Sequence, residues 1–303
     1  MTATIETYSG INDYKKLTFV VNKETKQHQF HTELREVEVS GFTNLNEIFN
    51  MHLSKRQTKF VEVLYSGGYD SEVVLQSCML NKIPVRAITM RIVHHGILVN
   101  TPDLYYAERF CRQHDIEQKF VDLHSDVFVE DTSEFLTYLT PYMISEPHVA
   151  MHMWLFEQCT GYPVMGGEYN WPWEHESTIS PFRHDYSFYD DFLKSKGIDG
   201  IGNMLSHSLE SNALLINAHK TLFDSKKHGT DTWRLPKFRQ ELFGKLGYKL
   251  ELRLRSYGFN HIASTEWRPR TQSTLGITKN SISWGPTIAK AIGSDSSGYN
   301  ERF

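Results

Sequence analysis

The stretch Val61–Leu75, VEVLYSGGYDSEVVL, constrains this chain more than any other. A short apolar run, Val61-Glu62-Val63-Leu64-Tyr65, is dense in β-formers and fits a buried strand. It breaks into Ser66-Gly67-Gly68-Tyr69-Asp70-Ser71, and from Glu72 the apolar residues recur at helical spacing through Val73, Val74, Ser77 and Cys78. A strand, a glycine turn and a helix N-terminus together make an anion cradle. The glycines let backbone approach closely, and the first-turn N–H groups point at the bound oxyanion. Ser66 and Ser71 add hydroxyls, and Asp70 offers a carboxylate to a magnesium ion shared with phosphates. The spacing excludes the GxxxxGK[ST] phosphate loop, and no lysine follows the glycines.

SGGxDS after a strand resembles the signature of the PP-loop ATP pyrophosphatases, a superfamily that includes asparagine synthetase, GMP synthetase, NAD synthetase and tRNA-modifying enzymes. The resemblance implies an ATP-dependent, AMP-forming ligase that releases pyrophosphate and adenylates a carboxylate or carbonyl oxygen for attack by an amine or ammonia. It implies ATP and Mg2+ as cofactors and assigns ATP and pyrophosphate binding to Ser66, Gly67, Gly68, Asp70 and Ser71. The implied fold is α/β, a parallel doubly wound (Rossmann-like, HUP-type) sheet. A short N-terminal β segment precedes it and a helical C-terminal half follows. The expected division is 1–58, 59–180 for the ATP-binding core, and 181–303 for the acceptor-site region.

The flanking sequence agrees with such a core. Leu17–Asn22 and Gln29–Val39 read as strands about a polar KETKQH turn, and Asn44–Lys59 reads as a helix capped by Asn44 with Glu47 three residues on. Pro84–Ile92 is the second strand, and the resemblance gives adenine contact to the backbone at Ile88, Thr89 and Met90. Thr101-Pro102-Asp103 opens a helix, with Thr101 at the cap, and Gln118–Leu123 is the third strand. Asp126–Leu139 reads as helical, Val149 to about Gly161 as a helix, and Tyr162–Met165 as a buried strand running into Gly166-Gly167-Glu168. In the asparagine synthetase branch a DEP tripeptide and a GDGADE turn occupy comparable places. Ser145-Glu146-Pro147 and Gly166-Gly167-Glu168 look like shortened versions of them. One acidic residue stands where the family has two, and Glu168 is the expected second metal ligand beside Asp70.

Other chemistries fit less well. Asparagine synthetase exposes a nucleophilic cysteine after Met1; here Thr2 stands there and no cysteine precedes Cys78, so ammonia or an amine comes free or from a separate protein. Cys78, Cys111 and Cys159 form no CxxC pair, which argues against a disulfide framework, a cysteine zinc site, and the sulfur-handling relatives that use late or paired cysteines. A nucleotide-binding protein that has lost catalysis is the remaining alternative. His148 and His152 lie four apart on one helix, but no third ligand follows and HExxH is absent. His94-His95 ends the second strand, where an adenine or substrate contact is one reading.

Developing charge on pyrophosphate needs a cation. Arg268, Arg270, Lys279 and Lys290 are candidates in the late segment, and Lys279 is the choice. Trp267 and Trp284 beside them read as packing residues. The stretch from Trp171 to Phe188 reads as an aromatic loop or lid. Asp190–Lys196, Ile201–Ala218 and Lys237–Ser256 read as helices, and the last residues as a flexible tail. A net charge of −4 gives no electrostatic reason to expect nucleic acid. No apolar run is long enough for a bilayer and no secretory leader is visible, so a cytoplasmic enzyme with a small-molecule acceptor is expected. A homo-oligomer is compatible with the sequence.

Overall fold

Alternating strands and helices with buried, β-branched strand residues call for a sheet covered on both faces. The computed structural model has that form. It describes residues 5–12, 15–22, 27–34, 44–94, 96–98, 100–124, 137–138, 140–142, 147–167, 187–222 and 236–252. Three N-terminal strands, β1 (Ile5–Asn12), β2 (Lys15–Asn22) and β3 (Gln27–Leu34), pair antiparallel as a meander of their own.

The second sheet is organised around β4 (Val61–Leu64), all four of whose residues are buried. Helix α1 (Leu45–Leu53) precedes it. Asn44 Oδ1 accepts the Glu47 N–H at 2.9 Å, the cap expected from the sequence, while Leu45, Ile48, Phe49 and Leu53 are buried. The helix stops at Leu53, short of the expected Lys59. After β4 come α2 (Tyr69–Leu80), β5 (Val85–His94), a short antiparallel strand β6 (Ile97–Leu98), α3 (Thr101–Gln113) and β7 (Glu117–His124). The chain then returns through α4 (Pro147–Glu157) to β8 (Tyr162–Met165). Strands β7, β5, β4 and β8 lie side by side and parallel, in that order. In register, Leu64 faces Ile88 on one side and Met165 on the other.

The sheet is apolar on both faces. Val61, Val63 and Ala87 join one cluster with α1, α2, α3 and the later helices α6 (Leu209–Leu222) and α7 (Pro236–Lys245). Leu64, Ile88, Met90 and Ile92 join a second with α4 and α5 (Ser187–Ser195). This is the doubly wound arrangement the sequence implied.

Four local expectations are corrected. Helix α2 begins at Tyr69, not Glu72, because Gly68 in extended conformation (φ −79°, ψ 160°) serves as its N-cap; Asp70 and Ser71 therefore sit in its first turn. The residue before α3 is Asn100, not Thr101. Ile201–Leu205, expected to be helical, runs along β8 instead. The Ile201 and Met204 N–H groups donate to the Pro163 and Met165 carbonyls at 2.9 Å, and those amides are lost to a helix. Finally, α7 ends at Lys245: Gly247 takes φ +95° and the Tyr248 N–H returns to the Phe243 carbonyl at 3.0 Å. The expected helix Asp126–Leu139 falls mostly outside the described residues. Among the described residues no helix is long and apolar enough to cross a membrane.

Candidate functional site

The chain leaves β4 for β5 and then β7 on one side, and comes back to β8 on the other. The strand order thus reverses between β4 and β8. In open α/β sheets the crevice at such a point, beyond the carboxyl ends of the strands, is where ligands bind. Two loops bound it here: Ser66–Gly68 after β4 and Gly166-Gly167 after β8.

Their glycines are required by geometry. Gly67 has φ +83°, and a Cβ on it would lie 2.5 Å from the Asp103 carbonyl oxygen and 3.0 Å from the Ala107 backbone nitrogen in α3. Gly166 meets the first turn of α2 so closely that a Cβ would lie 2.7 Å from the Asp70 carbonyl carbon and the Ser71 nitrogen. The second glycine turn therefore rests directly on the helix N-terminus that the first turn opens. No side chain caps α2, and the first-turn amides of an α-helix have no intrahelical acceptors. Ser66 is buried and its Oγ accepts the Gly68 N–H at 3.3 Å; the Ser71 hydroxyl donates to the Gly68 carbonyl at 3.3 Å. Below the turn, the buried Tyr65 hydroxyl donates to Glu72 Oε2 at 3.1 Å, tying the end of β4 to α2.

Asp70 meets a residue that sequence reading missed. Arg239 of α7 donates from a terminal guanidinium nitrogen to Asp70 Oδ1 at 2.5 Å, with side chains 10% and 26% exposed. Neighbouring residues Phe238, Leu242 and Phe243 are buried in the core and anchor α7. His219 of α6 stacks edge-on with Phe238 at 4.9 Å. Burial, and then the charge of Arg239, push the His219 imidazole down to about 3, so it stays neutral beside the guanidinium.

The three β5 residues expected at adenine sit where the strand passes the end of β4. The Ile88 carbonyl accepts the Tyr65 N–H at 2.8 Å, Thr89 Oγ1 accepts from Gln118 at 2.8 Å, and the Met90 carbonyl accepts from Asn100 Nδ2 at 2.8 Å. Asn100 also accepts the Ile92 N–H at 2.9 Å, so one buried side chain replaces a strand partner beyond the end of β4. The sequence reading placed the cap at Thr101 and did not single out Asn100 or its use as a β5 clamp. Asp103, buried in the first turn of α3, has its carboxyl pushed well above the usual carboxylate range by burial.

The turn fits a phosphate chain and a magnesium ion held jointly with it: close backbone approach, helix amides, hydroxyls and one partly exposed carboxylate, all hard oxygen or N–H groups. Among the described residues no group of three or more metal-ligating side chains forms a cage. Glu168, Lys279, Arg268, Arg270, Lys290, His95, Trp267 and Trp284 lie outside the described residues, as does the loop 171–186. His152 is accounted for: buried in α4, its Nδ1 pairs with the Tyr189 hydroxyl at 2.6 Å. Burial pushes the thiols of Cys78, Cys111 and Cys159 up to about 12, which removes the thiolate that sulfur transfer needs.

No family model matches the chain, and no curated protein does. Among solved structures it is similar to the glutamine-dependent NAD+ synthetase from Acinetobacter baumannii in complex with ADP, at 13% identity and TM-score 0.29; the match covers 80% of this chain but only 52% of that one. The U34-tRNA thiolase NcsA from Methanococcus maripaludis matches at 13% identity and TM-score 0.31, over 84% of this chain and 81% of that one. An NMN synthetase from Francisella tularensis matches at 10% identity and TM-score 0.31, over 77% and 96%. The reading of the site itself rests on its geometry.

Proposed function

We propose that this chain is an ATP-dependent enzyme that splits ATP into AMP and pyrophosphate. It adenylates a carboxylate or carbonyl oxygen of a small-molecule acceptor for displacement by an amine or ammonia. The observation that carries the reading is the contact of Gly166 with the first turn of α2 at the point where strand order reverses. There Ser66, Gly67, Gly68 and Ser71 form the pyrophosphate cradle, and Asp70, with Glu168 as its proposed partner, would hold magnesium. The bound metal would neutralise charge gathering on the leaving phosphates.

The protein's own part is positioning. The α2 amides orient the phosphates, and β5 lies beside them for the base, with Ile88, Thr89 and Met90 as its proposed contacts. The acceptor oxygen attacks the α-phosphorus, the bond to pyrophosphate breaks, and the amine later displaces AMP. Lys279 is retained as a proposed cation for the leaving group. The amine donor, free or delivered by another protein, and a homo-oligomeric state belong to the same proposal.

Asp70→Ala is expected to abolish AMP and pyrophosphate formation, assayed with ATP, Mg2+ and a metabolite pool, while the circular dichroism spectrum is unchanged. Normal turnover by that variant would sink the assignment. The second reading, a binding protein without turnover, is favoured by the engagement of Asp70 with Arg239; bound AMP or ATP with no pyrophosphate released by the wild type would select it.

A further inference from the structure

We propose that the Arg239–Asp70 pair is an exchangeable latch. The guanidinium holds the carboxylate while the site is empty of nucleotide and yields it to the magnesium that arrives with ATP. This inference rests on the ATP reading above and goes beyond it, because it assigns a binding-linked exchange to a residue outside the SGGYDS motif.

Two observations carry it. First, Arg239 occupies Asp70 Oδ1 at 2.5 Å, on a carboxylate in the first turn of α2. A magnesium ion needs carboxylate oxygen at about 2.0–2.1 Å in near-octahedral geometry, and a guanidinium on the same oxygen blocks that approach and repels the cation. The two therefore compete.

Second, Arg239 is held at this spot by the fold and not by a flexible arm. Phe238 before it and Leu242 and Phe243 after it are buried, Gln240 donates to the Leu250 carbonyl at 2.7 Å, and the segment after α7 is bonded along α2. That segment makes four hydrogen bonds to α2: Tyr248 with Ser77 at 2.7 Å, Gln76 with the Lys249 carbonyl at 2.7 Å, the Lys249 N–H with Gln76 Oε1 at 3.2 Å, and Tyr69 with the Glu251 carbonyl at 3.0 Å. The backbone that carries the guanidinium is thus fixed beside α2, so that release from Asp70 is a movement of the side chain alone.

The test is a Mg2+ titration of binding, with MANT-ATP at fixed concentration as the probe, read by fluorescence on the full chain. Arg239→Gln removes the competitor, so half-maximal binding should need about fivefold less Mg2+ than in the wild type, the range of a partly exposed ion pair. Arg239→Lys, whose shorter ammonium pairs less well, should fall between the two. It carries the test if the glutamine variant does not fold. A variant midpoint equal to or above that of the wild type, with wild-type binding intact, overturns the latch and leaves the ATP reading standing. If the wild type does not bind MANT-ATP at any Mg2+ concentration, the ATP reading fails and the latch with it.

Discussion

Gly67→Ala is the substitution whose effect the geometry constrains most closely, because two separable penalties meet at one atom. The first is conformational. Gly67 sits at φ +83°, a region that costs an L-residue about 1–2 kcal/mol. The second is steric: the new Cβ would stand 2.5 Å from the Asp103 carbonyl oxygen and 3.0 Å from the Ala107 nitrogen. Both are backbone atoms of α3 and cannot swing aside as a side chain would. Forcing a methyl into such a contact costs about 1–3 kcal/mol. The expected loss is therefore about 2–5 kcal/mol, which lowers Tm by about 5–15 °C in a domain of this size.

A control separates the two parts. Gly96, at φ +76° in the turn between β5 and β6, has nothing within 4 Å of a built Cβ. Gly96→Ala should carry the conformational penalty alone. Calorimetry of wild type and both variants then isolates the clash as the difference between them. Equal melting shifts for the two variants would refute the claim that the SGG turn is wedged against α3. The loop's displacement should also weaken nucleotide binding in Gly67→Ala and leave it unchanged in Gly96→Ala.

Two further outcomes concern stability. Glu62 is fully buried in β4, accepting the Thr160 and Gly161 N–H groups at 2.5 and 2.6 Å and pairing with Arg86 at 3.2 Å. Glu62→Leu strands those partners and should cost about 3–5 kcal/mol in urea unfolding; a loss below about 1 kcal/mol would contradict the pairing. His219, whose pKa is pushed from 6.5 to about 3, is neutral in the fold but takes up a proton when unfolded. Its contribution is thus fully present above pH 6.5 and is lost as pH falls from there towards about 3. Wild type should lose stability relative to His219→Phe across that window, and parallel curves for the two would contradict the burial.

Much of the core was legible because its signals are short-range. Asn44 and Glu47 are three residues apart, so a cap is visible in the string itself. The SGGYDS turn joins a strand to a helix within a few residues, and β8 announces itself as four apolar residues before Gly166. The misreadings share one cause. IGNML has the apolar content of a helix, and only the neighbouring β8 carbonyls draw its amides into extended pairing. TPD reads as a helix start in itself, but nothing local shows that Asn100 serves β5.

The candidate site divides the same way. Local chemistry determined the cradle: the glycines, hydroxyls and Asp70 follow one another along the chain, and their spacing alone requires a turn at a helix N-terminus. Only the tertiary structure decided that Gly166 would close on that turn, and that a cation 169 residues away would take hold of Asp70. Charge pairing depends on distance in space, and that distance was set by packing α7 into the core through Phe238, Leu242 and Phe243. The sequence reading chose Lys279 among the late basic residues and did not single out Arg239. The helix that could bury its apolar face beside α2 brought Arg239.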